Sequence, residues 1–428
     1  MAKIAIVGSG GREHALGHNF LSDEHTVYYF GKPNAGMDKD GAEHIAIDCT
    51  KPENFDKLIH IVDVKSIDML VVGPEQPLTL GLVDHLNSRD YHNVIGPTKK
   101  AALLEADKFF SWYLLDLLGL PQAESVPCFN ISQAKKEIDR RFKDGIVIKY
   151  SFLAGGKGVS VCDSKEEAYR ELKRINDEFG TDVLIAERLR GHEVSVFYLT
   201  DGENVVPFSI SIQDHKPIFD NDRGPNTGGM GSYGPAPFAS SETINEIGRE
   251  IVKPIVRAVD GVLGEPYKGV VYAGMIMTKQ GPKVLEFNIR FGDPENQVLM
   301  MMLQGGLYNP FVKLLEGKLD PDDLKMKQGV AACVVMASEG YPGKYTTGHI
   351  ITGLDEAERI QGVKVFHAGT ERRNGGIVTA GGRVLGVTAY RREGLEAAIE
   401  AAYQAVALIQ FQSAYYRRDI GRKGLVKC

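Results

Sequence analysis

The residues best suited to chemistry lie on one alternating stretch, residues 284–295, which reads VLEFNIRFGDPE. Successive side chains of a β-strand point to opposite faces, so Glu286, Asn288 and Arg290 are predicted to share one face. The opposite face is apolar and consists of Leu285, Phe287, Ile289 and Phe291. A carboxylate and an amide oxygen suit Mg²⁺, and a planar guanidinium suits a phosphate or a carboxylate. The alternative is an amphipathic strand whose polar face is only solvated.

The residues after this strand predict the start of a helix. Asp293 is placed to cap the helix with its side chain, and Pro294 suits the first helical position. Glu295 complements the positive end of the helix dipole. The strand and the helix are therefore expected to meet at a tight turn beside the polar face.

A glycine turn near the N-terminus has the composition of an anion site. The predicted strand 3–7 is followed by GSGGREH and a helix, and such a turn directs main-chain amides toward one point. Arg12 and His14 favour a phosphate ligand. The dinucleotide pattern G-x-G-x-x-G fails at Glu13, and the next strand, 26–30, ends without an acidic ribose ligand, which argues against NAD. The alternative is a turn used only for strand–helix packing.

Two further predicted strands continue this first domain, which is expected to span residues 1–101. The strand 68–72 ends in Gly73-Pro74-Glu75, and the strand 94–95 ends in Gly96-Pro97. Alternating strands and helices with glycine at the strand ends predict an open parallel sheet whose ligand lies at the carboxyl edge. Glu75 is either a ligand contact or a turn carboxylate.

A glycine-rich segment, YSFLAGGKG, joins two predicted strands, 145–149 and 159–162. It is not a P-loop, because Lys157 is followed by Gly158 and no helix pattern follows directly. With Lys149 on the first strand, it predicts a flap that closes over phosphates. The alternative is a flexible hairpin tip.

Other segments complete the expected layout. One helix is predicted over residues 102–120 and includes Lys108. Residues 213–231 contain QDHK and GPNTGGMG and are predicted to form a long loop without regular structure, a kind of segment that is usually functional. From residue 326 onward the pattern predicts a compact α+β domain.

Composition limits the class of protein. The chain has 428 residues, 43% of them hydrophobic, and a net charge of −6, which argues against a general nucleic-acid binder. Its five cysteines show no C-x-x-C spacing, as expected of reduced thiols in the cytoplasm. No apolar run approaches the ~18 residues of a membrane span. We therefore expect a cytoplasmic protein that binds neither nucleic acid nor membrane.

The separate pieces favour one ligand. A lysine-bearing glycine flap, a hinge-like segment at Gly191-His192-Glu193 and a strand with Glu-x-Asn-x-Arg would together hold ATP and Mg²⁺ between two α+β lobes. The chain lacks the kinase H-R-D pattern and the zinc-protease H-E-x-x-H pattern. The chemistry we expect is activation of a small carboxylate as an acyl phosphate, followed by capture with an amine.

Over its whole length the chain resembles the glycinamide ribonucleotide synthetase family of ATP-grasp enzymes. The resemblance is carried by GSGGREHAL, PNAG, VGPEQPL, LAGGKGV, QDHK, GPNTGGMGSYGPAP, EFNIRFGDPENQ, GYPGKY, GVKVFHAGT, GGRVLGVTA and YYRRDIG. It implies an α/β and α+β multidomain protein that begins with a Rossmann-like parallel sheet. An ATP-grasp core would follow at residues 102–325, with a mobile lid at about 122–192, and a small α+β domain at 326–428.

The resemblance also implies ligands and the residues that hold them. The protein would be a monomer that joins glycine to 5-phosphoribosylamine with ATP, and Glu286 and Asn288 would bind Mg²⁺ or Mn²⁺. The ATP-binding residues would be Lys108, Lys149, Gly155, Gly156, Lys157, Glu187, Leu189 and Glu193. Phosphoribosylamine would contact Gly10, Gly11, Arg12, Glu13, Gly73, Pro74 and Glu75. Glycine and the transferred phosphoryl would be surrounded by the catalytic residues Asp214 and Arg290 and by the substrate-binding residues Asn226, Thr227, Gly228, Gly229 and Met230.

The chain departs from the family pattern around the nucleotide. The family usually has Lys-Ala-Asp-Gly-Leu-Ala where this chain has residues 149–154, KYSFLA. It usually has a second lysine where Trp112 stands and a glutamate where Ala186 stands. Two alternatives are open at this point: an ATP-grasp enzyme that joins another carboxylate to another amine, and a nucleotide-sensing module that does no chemistry.

Overall fold

The computed structural model describes residues 1–155 and 157–425. Gly156 of the predicted flap lies outside the described residues. Within them, no helix is both long enough and apolar enough to cross a membrane. Four sheets of four to six strands organise this part of the chain.

The first sheet confirms the predicted open parallel arrangement, with the strand order β3-β2-β1-β4-β5. Its elements are β1 (Lys3–Val7), α1 (Gly11–Ser22), β2 (Thr26–Phe30), α2 (Ala35–Asp40), β3 (Glu43–Ile45), α3 (Phe55–Lys65), β4 (Met69–Val72), α4 (Glu75–Thr79), α5 (Leu82–Asn87) and β5 (Val94–Ile95). Ala5 and Val7 enter one hydrophobic core, and Ile4 and Ile6 enter another. Both faces of β1 are thus covered, which explains its unbroken apolar sequence.

The second sheet is antiparallel, has the order β6-β9-β7-β8 and has its own core. The elements of this segment are α6 (Leu103–Ala106), α7 (Lys108–Leu117), β6 (Ser125–Cys128), α8 (Ile131–Arg141), β7 (Ile146–Tyr150), β8 (Val159–Cys162), α9 (Lys165–Glu178) and β9 (Val183–Glu187). Apolar residues of α8 and α9, including Ile138 and Leu172, pack into that core. We call residues 122–187 the lid unit.

The prediction of one helix over residues 102–120 was wrong, because the chain breaks at Asp107. This residue is extended, with φ −132° and ψ 106°, and its side chain accepts a hydrogen bond from the amide of Phe109. Its carboxylate also accepts a 2.7 Å hydrogen bond from the hydroxyl of Ser151 in the lid unit. Because Asp107 caps α7 and also binds Ser151, it starts a new helix in spite of the helical pattern around it.

The third sheet is antiparallel, has the order β11-β10-β16-β17 and carries the polar strand. The elements of this segment are β10 (His192–Thr200), β11 (Val205–Pro207), β12 (Gln213–Asp214), β13 (Pro217–Phe219), β14 (Arg223–Asn226), β15 (Gly231–Gly234), α10 (Ser241–Ile247), α11 (Lys253–Leu263), β16 (Gly269–Thr278), β17 (Gly281–Asn288), α12 (Glu295–Met302), β18 (Leu303–Gln304), α13 (Tyr308–Glu316) and β19 (Lys325–Met326). A π-helical turn, residues 248–252, joins α10 to α11. The hairpin of β16 and β17 was predicted within a few residues.

The simple alternation predicted for β17 was wrong at one position. The register passes from Gly274 opposite Glu286 to Met275 opposite Val284, so Leu285 is an extra residue in a β-bulge. Val284 and Phe287 therefore both enter the core, whereas Leu285 lines the cleft beside Glu286. Glu286 keeps the predicted orientation because the bulge ends before it.

The prediction that Asp293 caps the following helix was also wrong. Pro294 occupies the cap position of α12, and no side chain accepts a hydrogen bond there. The Asp293 carboxylate instead accepts hydrogen bonds from the side-chain amide of Gln297 at 2.8 Å and from the Nη2 of Arg383 at 3.0 Å. Arg383, from the last quarter of the chain, thus binds the carboxylate that the local sequence predicted to cap the helix.

The fourth sheet belongs mainly to the C-terminal segment and has the order β12-β15-β20-β25-β22. The elements of this segment are β20 (Val330–Ser338), β21 (Ile350–Ile351), α14 (Leu354–Glu358), β22 (Val363–His367), β23 (Thr370–Arg373), β24 (Gly376–Thr379), β25 (Arg383–Arg391), α15 (Leu395–Leu408), β26 (Ala414–Tyr415) and α16 (Arg422–Leu425). The small residues of α15 pack against it. The predicted α+β pattern after residue 326 is confirmed.

Residues 213–231 are more regular than the predicted long loop. They contain β12, the hairpin of β13 and β14, and the start of β15. Because β15 pairs with both β12 and β20, both ends of this segment are held by the C-terminal sheet. The segment that was predicted to be a free loop is therefore held at both ends by that sheet.

Candidate active site

A cleft over the third sheet collects polar side chains from several elements. It is lined by Glu193 and Ser195 of β10, Asp214 of β12, Lys216, Tyr272 of β16, and Glu286 of β17. Gly274 lies opposite Glu286, and a Cβ at Gly274 would stand 3.3 Å from the Glu286 side chain. The missing side chain at this position leaves room for the carboxylate on the sheet surface.

Glu286 is a half-buried carboxylate surrounded by cations. Its Oε1 lies 3.6 Å from the Nζ of Lys216. Burial alone would raise the pKa of Glu286, but Lys216, Lys108 and Lys149 outweigh it and lower the pKa to about 2. Glu286 therefore stays ionised, and the positive charges of the three lysines outnumber its single negative charge. This arrangement leaves positive charge for an anionic ligand.

Asn288 is nearly buried, and its amide nitrogen makes no hydrogen bond to the described residues. Buried polar atoms without a partner are rare and usually indicate a missing ligand or water. Since the oxygen and nitrogen of an amide are assigned from their partners, the oxygen of Asn288 is equally free to face a cation. An ionised carboxylate and an unpartnered amide two residues apart fit Mg²⁺ or Mn²⁺.

The β-bulge places a lysine in the cleft. The carbonyl oxygen of Leu285, the extra residue, accepts a 2.8 Å hydrogen bond from the Nζ of Lys149 on β7. Burial lowers the pKa of Lys149, and Lys108 lowers it further, although Glu286 opposes both. The bulge thus connects the lid unit to the polar strand.

Arg290 is held by two carboxylates rather than standing free. Its Nε donates to Glu75 at 3.1 Å, and its Nη2 donates to Glu105 at 3.2 Å. Burial would raise the pKa of Glu75, but Arg290 and Arg12 lower it to about 2. Burial raises the pKa of Glu105, whose other oxygen accepts the amide of Ile289 at 2.8 Å. Arg290 is therefore fixed in place, with Nη hydrogens left over for a ligand.

The N-terminal glycine turn contains its own carboxylate. Glu13, which is buried, accepts the amide of Gly10 at 2.7 Å and the Nε of Arg12 at 2.6 Å. A Cβ at Gly73 would stand 2.2 Å from the Glu13 carboxylate, so that glycine gives the carboxylate its space. One amide of the predicted anion site is thus satisfied internally, and Gly10, Arg12, Glu13 and Gly73 do lie together.

Residues 226–230 form a compact turn beside Asp214. The hydroxyl of Thr227 donates to the carbonyl of Lys216 at 2.7 Å and accepts the amide of Gly229 at 3.0 Å. A Cβ at Gly229, where φ is +107°, would stand 2.8 Å from the Asp214 carboxylate. The side chain of Met230 is fully buried with Ile218 and Ala337, so it supports the turn.

Asp214 belongs to a buried acidic group. Burial raises the pKa of Asp214 well above its ordinary value, and the nearby carboxylate of Glu295 raises it further. Glu295 is itself buried and accepts hydrogen bonds from Tyr272 at 2.9 Å and Ser195 at 3.3 Å. Glu295, predicted only to favour the helix dipole, therefore also holds two side chains that line the cleft. A raised pKa makes Asp214 a stronger base than an exposed aspartate.

The residues expected around the nucleotide lie on the lid unit and at its edges. Glu187 ends β9 and accepts the amide of Glu124 at 3.1 Å and the Nζ of Lys283 at 3.3 Å. Leu189 packs against a small cluster of lid-unit residues, and Glu193 is exposed on β10. Lys157 is exposed, and Gly155 has φ +56°. Lys108 and Lys149 approach Glu286, whereas Lys157 lies out on the flap.

Several residues that line the cleft, or that hold the turns and strands near it, were not identified from the sequence, namely Asn34, Glu105, Ser195, Lys216, Tyr272 and Arg383. Lys216 could have been found, because it lies two residues after Asp214 within the QDHK motif. Asn34 donates to the carbonyls of Ser9 and His367, each at 2.8 Å, and so joins the glycine turn to the C-terminal sheet. The sequence gives no local signal for Glu105 or Tyr272.

Two buried histidines join α1 to β22 near this turn. The main-chain amide of His367 donates to the Nδ1 of His14 at 2.7 Å, so the Nε2 of His14 carries the proton and donates to Asp40 at 3.1 Å. Burial lowers the pKa of His14 from 6.5. Burial also lowers the pKa of His367 well below 6.5, and His14 and Lys364 add to the effect.

These histidines predict a loss of stability in mild acid. Below pH 6.5 these histidines are protonated in the unfolded chain, whereas the buried imidazoles of the folded protein stay neutral. The stability of the folded protein therefore falls as the pH falls below that value. His367→Gln should reduce the fall in Tm between pH 7.5 and pH 5.5 by roughly 1–2 °C, measured by thermal denaturation. His60→Gln, at an exposed position of α3, should leave the fall unchanged. An identical fall in wild type and His367→Gln would contradict the prediction.

Comparison with known proteins agrees with this fold. The domain models of phosphoribosylglycinamide synthetase match in succession: the N domain at residues 2–105, the ATP-grasp (A) domain at 106–296 and the C domain at 331–423. The phosphoribosylamine–glycine ligase of Rhodopirellula baltica is 44% identical over 435 residues, covering 99% of this chain and 98% of that protein. The human trifunctional purine biosynthetic protein adenosine-3 is 42% identical, but the match covers only 42% of its length.

Solved structures give the same result. The crystal structure of phosphoribosylamine–glycine ligase from Thermotoga maritima superposes with a TM-score of 0.82 at 31% identity, covering 98% of this chain and 100% of that one. A biotin carboxylase from Campylobacter jejuni reaches a TM-score of 0.74 at 15% identity, covering 97% of this chain and 92% of that one, and shares the fold. The fold and the cleft therefore define an ATP-grasp protein.

Within that class, the chain belongs to the phosphoribosylglycinamide synthetase family of carbon–nitrogen ligases. The predicted family and the predicted fold class, with a parallel N-terminal sheet, an ATP-grasp core and an α+β C-terminal domain, are confirmed. The roles predicted for individual residues stay predictions.

Proposed function

We propose that this protein ligates glycine to 5-phosphoribosylamine at the expense of ATP, giving glycinamide ribonucleotide, ADP and phosphate in purine biosynthesis. The observation that carries the proposal is the ionised Glu286 beside the unpartnered Asn288, within reach of three lysines. This arrangement of side chains occurs in a chain that matches all three domain models of one ligase family. A nucleotide-sensing module would have no need to keep this cluster.

In the proposal, ATP lies between the lid unit and the third sheet. Lys108, Lys149 and Lys157, with the Gly155-Gly156 segment, hold the phosphates, and Glu187, Leu189 and Glu193 line the adenosine pocket. Glu286 and Asn288 hold Mg²⁺ or Mn²⁺, which supplies further positive charge to the phosphate oxygens.

In the proposal, the two other substrates occupy separate sites. Glycine lies beside Asp214 and the turn formed by residues 226–230, and 5-phosphoribosylamine lies at the Gly10–Glu13 turn and at Gly73-Pro74-Glu75. Arg290 contacts Glu75 of the second site and lies on the strand extension that follows Glu286 and Asn288. It can therefore bind the transferred phosphoryl group between the two substrates.

The reaction proceeds in two displacements. An oxygen of the glycine carboxylate attacks the γ-phosphorus, the bond to the β-phosphate oxygen breaks, and ADP leaves. The amine of phosphoribosylamine then attacks the carbonyl carbon of the glycyl phosphate, and inorganic phosphate leaves. The amine must lose a proton in this step, and the carboxylate of Asp214 is the acceptor we propose, because its raised pKa favours proton uptake.

The remaining expectations belong to the same proposal. The domains divide at about residues 101 and 325, and the lid, at about residues 122–192, closes over bound nucleotide. The protein acts as a monomer in the cytoplasm on these small molecules, without nucleic acid or membrane as a partner.

The decisive experiment is a coupled assay of ADP release with freshly prepared 5-phosphoribosylamine. ADP formation should require ATP, glycine and phosphoribosylamine together, and mass spectrometry should show glycinamide ribonucleotide. Turnover with another amino acid or another amine, but not with this pair, would identify a different ATP-grasp ligase. Absence of turnover with every pair, together with ATP binding, would indicate a nucleotide-sensing module.

The flap lysine gives a separate test of the nucleotide assignment. Lys157→Ala should raise the KM for ATP by about tenfold, because an exposed flap lysine is expected to contact only phosphates. The KM for glycine should stay within about twofold, as judged from initial rates at varied substrate concentrations. Lys173→Ala, at an exposed position in the same unit, serves as the control. Equal increases in both KM values would remove Lys157 from the nucleotide site.

A further inference from the structure

Arg383, at the start of β25, reaches out of the C-terminal sheet to the turn of residues 226–230 and to Asp293. Its Nη1 donates to the carbonyl of Gly228, to the carbonyl of Gly229 at 3.4 Å and to the carbonyl of Asp293 at 2.6 Å. Its Nη2 donates to the carboxylate of Asp293 at 3.0 Å. One guanidinium thus binds two separate segments of the chain.

The same sheet also binds the opposite side of this turn. The amide of Gly228 donates to the hydroxyl of Tyr341 at 3.0 Å. A Cβ at Gly228 would stand 2.9 Å from the Cζ of Arg383, so only glycine allows the guanidinium this close. Both the amide and the carbonyl of Gly228 are therefore held by side chains of the C-terminal segment.

Each segment that Arg383 binds lies against a different proposed substrate site. Gly229 lies against the carboxylate of Asp214, on the glycine side. On the other side, Cβ atoms at Gly10 and Gly11 would stand 3.7 Å and 3.5 Å from the carboxylate oxygens of Asp293. That turn is the proposed site for 5-phosphoribosylamine. Arg383 stands between the two sites.

Burial favours the loss of the Arg383 charge, but Asp293, Tyr341 and Asp214 outweigh it and raise the pKa of the guanidinium. Arg383 therefore keeps its charge at every pH at which the protein functions. The two adjacent glycines would otherwise leave residues 228–229 with large conformational freedom. A permanently charged, planar donor with several N–H groups is suited to fix such a backbone.

We infer that Arg383 is a positioning residue that fixes the glycine site relative to the phosphoribosylamine site, so that the amine and the activated carboxyl group meet. The inference rests on the function proposed above. It assigns to the C-terminal sheet a part in substrate alignment. Loss of Arg383 should therefore affect the two acceptor substrates and spare ATP.

The test compares Arg383→Met, Arg383→Lys and the control Arg373→Met in the full-length protein. Arg373 ends β23 in the same segment, pairs with Glu371 and is exposed. Arg383→Met should raise the KM for glycine and for phosphoribosylamine about tenfold, with the KM for ATP within twofold. Arg383→Lys keeps the charge opposite Asp293 but loses the planar guanidinium. Its KM values for glycine and phosphoribosylamine should lie between those of wild type and Arg383→Met. Arg373→Met should match wild type.

A second variant keeps the test valid if Arg383→Met fails to fold, as judged by circular dichroism. Tyr341→Phe removes only the hydroxyl that accepts the Gly228 amide, and it should raise the KM for glycine about threefold. The inference is overturned if the KM for glycine is unchanged in Tyr341→Phe and Arg383→Lys, or if all three KM values rise together. If wild type itself makes no product from glycine and phosphoribosylamine, the proposed function fails instead.

Discussion

Glu286→Gln should lower kcat by roughly 100-fold to 1,000-fold, which is about 2.7–4 kcal/mol of transition-state stabilisation. The substitution keeps the shape of the side chain and removes its charge. Glu286 is the anionic member of the proposed metal pair, and glutamine would leave the cation with two neutral ligands. Steady-state rates at saturating ATP, glycine and phosphoribosylamine, measured over a range of Mg²⁺ concentrations, provide the test.

The matched control is Glu400→Gln, which makes the same chemical change at an exposed position of α15. It should keep the wild-type kcat and Tm. Because the three lysines lose their common counter-charge in Glu286→Gln, Tm should be compared as well, to separate a catalytic effect from unfolding. A kcat within about threefold of wild type at saturating Mg²⁺ would exclude Glu286 from the role proposed here.

The strands of the fold were largely predictable because local physics determines them. The N-terminal strands are apolar on both faces, as buried parallel strands must be, and glycines mark their carboxyl ends. β17 alternates except at its bulge, and it pairs with the almost fully buried β16 as the predicted hairpin. In both places the hydrophobic pattern, the turn residues and the tertiary environment favour the same structure.

Local patterns failed where a distant residue changed the outcome. The pattern of residues 102–120 is helical, but Asp107 bonds to Ser151, 44 residues away. Asp293 has the type and position of a helix cap, but Arg383, 90 residues away, binds its carboxylate. The bulge at Leu285 provides a carbonyl for Lys149, which lies 136 residues earlier in the chain. No local pattern contains such partners.

The site was predictable in part for the same reason. Glu286, Asn288 and Arg290 lie on one strand and its extension, so their spacing shows them together. Glu105 reaches Arg290 and Ile289 across 185 and 184 residues, and it lies in a short helix with no distinguishing pattern. Identification of such a carboxylate requires the fold, because only the fold places β17 over α6.

The residues of the proposed site come from all three regions of the chain. The N-terminal sheet provides Glu75 and the glycine turn, and the third sheet provides Glu286 and Arg290. The C-terminal sheet holds β12 and β15, and with them Asp214 and the turn of residues 226–230. A substitution in any one region can therefore change catalysis without a direct contact to ATP.

Lys216→Met should lower kcat by roughly 30-fold to 100-fold, because Lys216 is the cation that most strongly keeps Glu286 ionised. The sign of the pH effect follows from the same contact. Lys216 helps to lower the pKa of Glu286 to about 2, so its removal should raise that pKa toward 4.5. The acidic limb of kcat/KM for ATP should then move to higher pH, as measured from about pH 3 to pH 8. Lys318→Met, at an exposed lysine, should change neither quantity. An unchanged kcat together with an unchanged acidic limb would show that Lys216 does not act on Glu286.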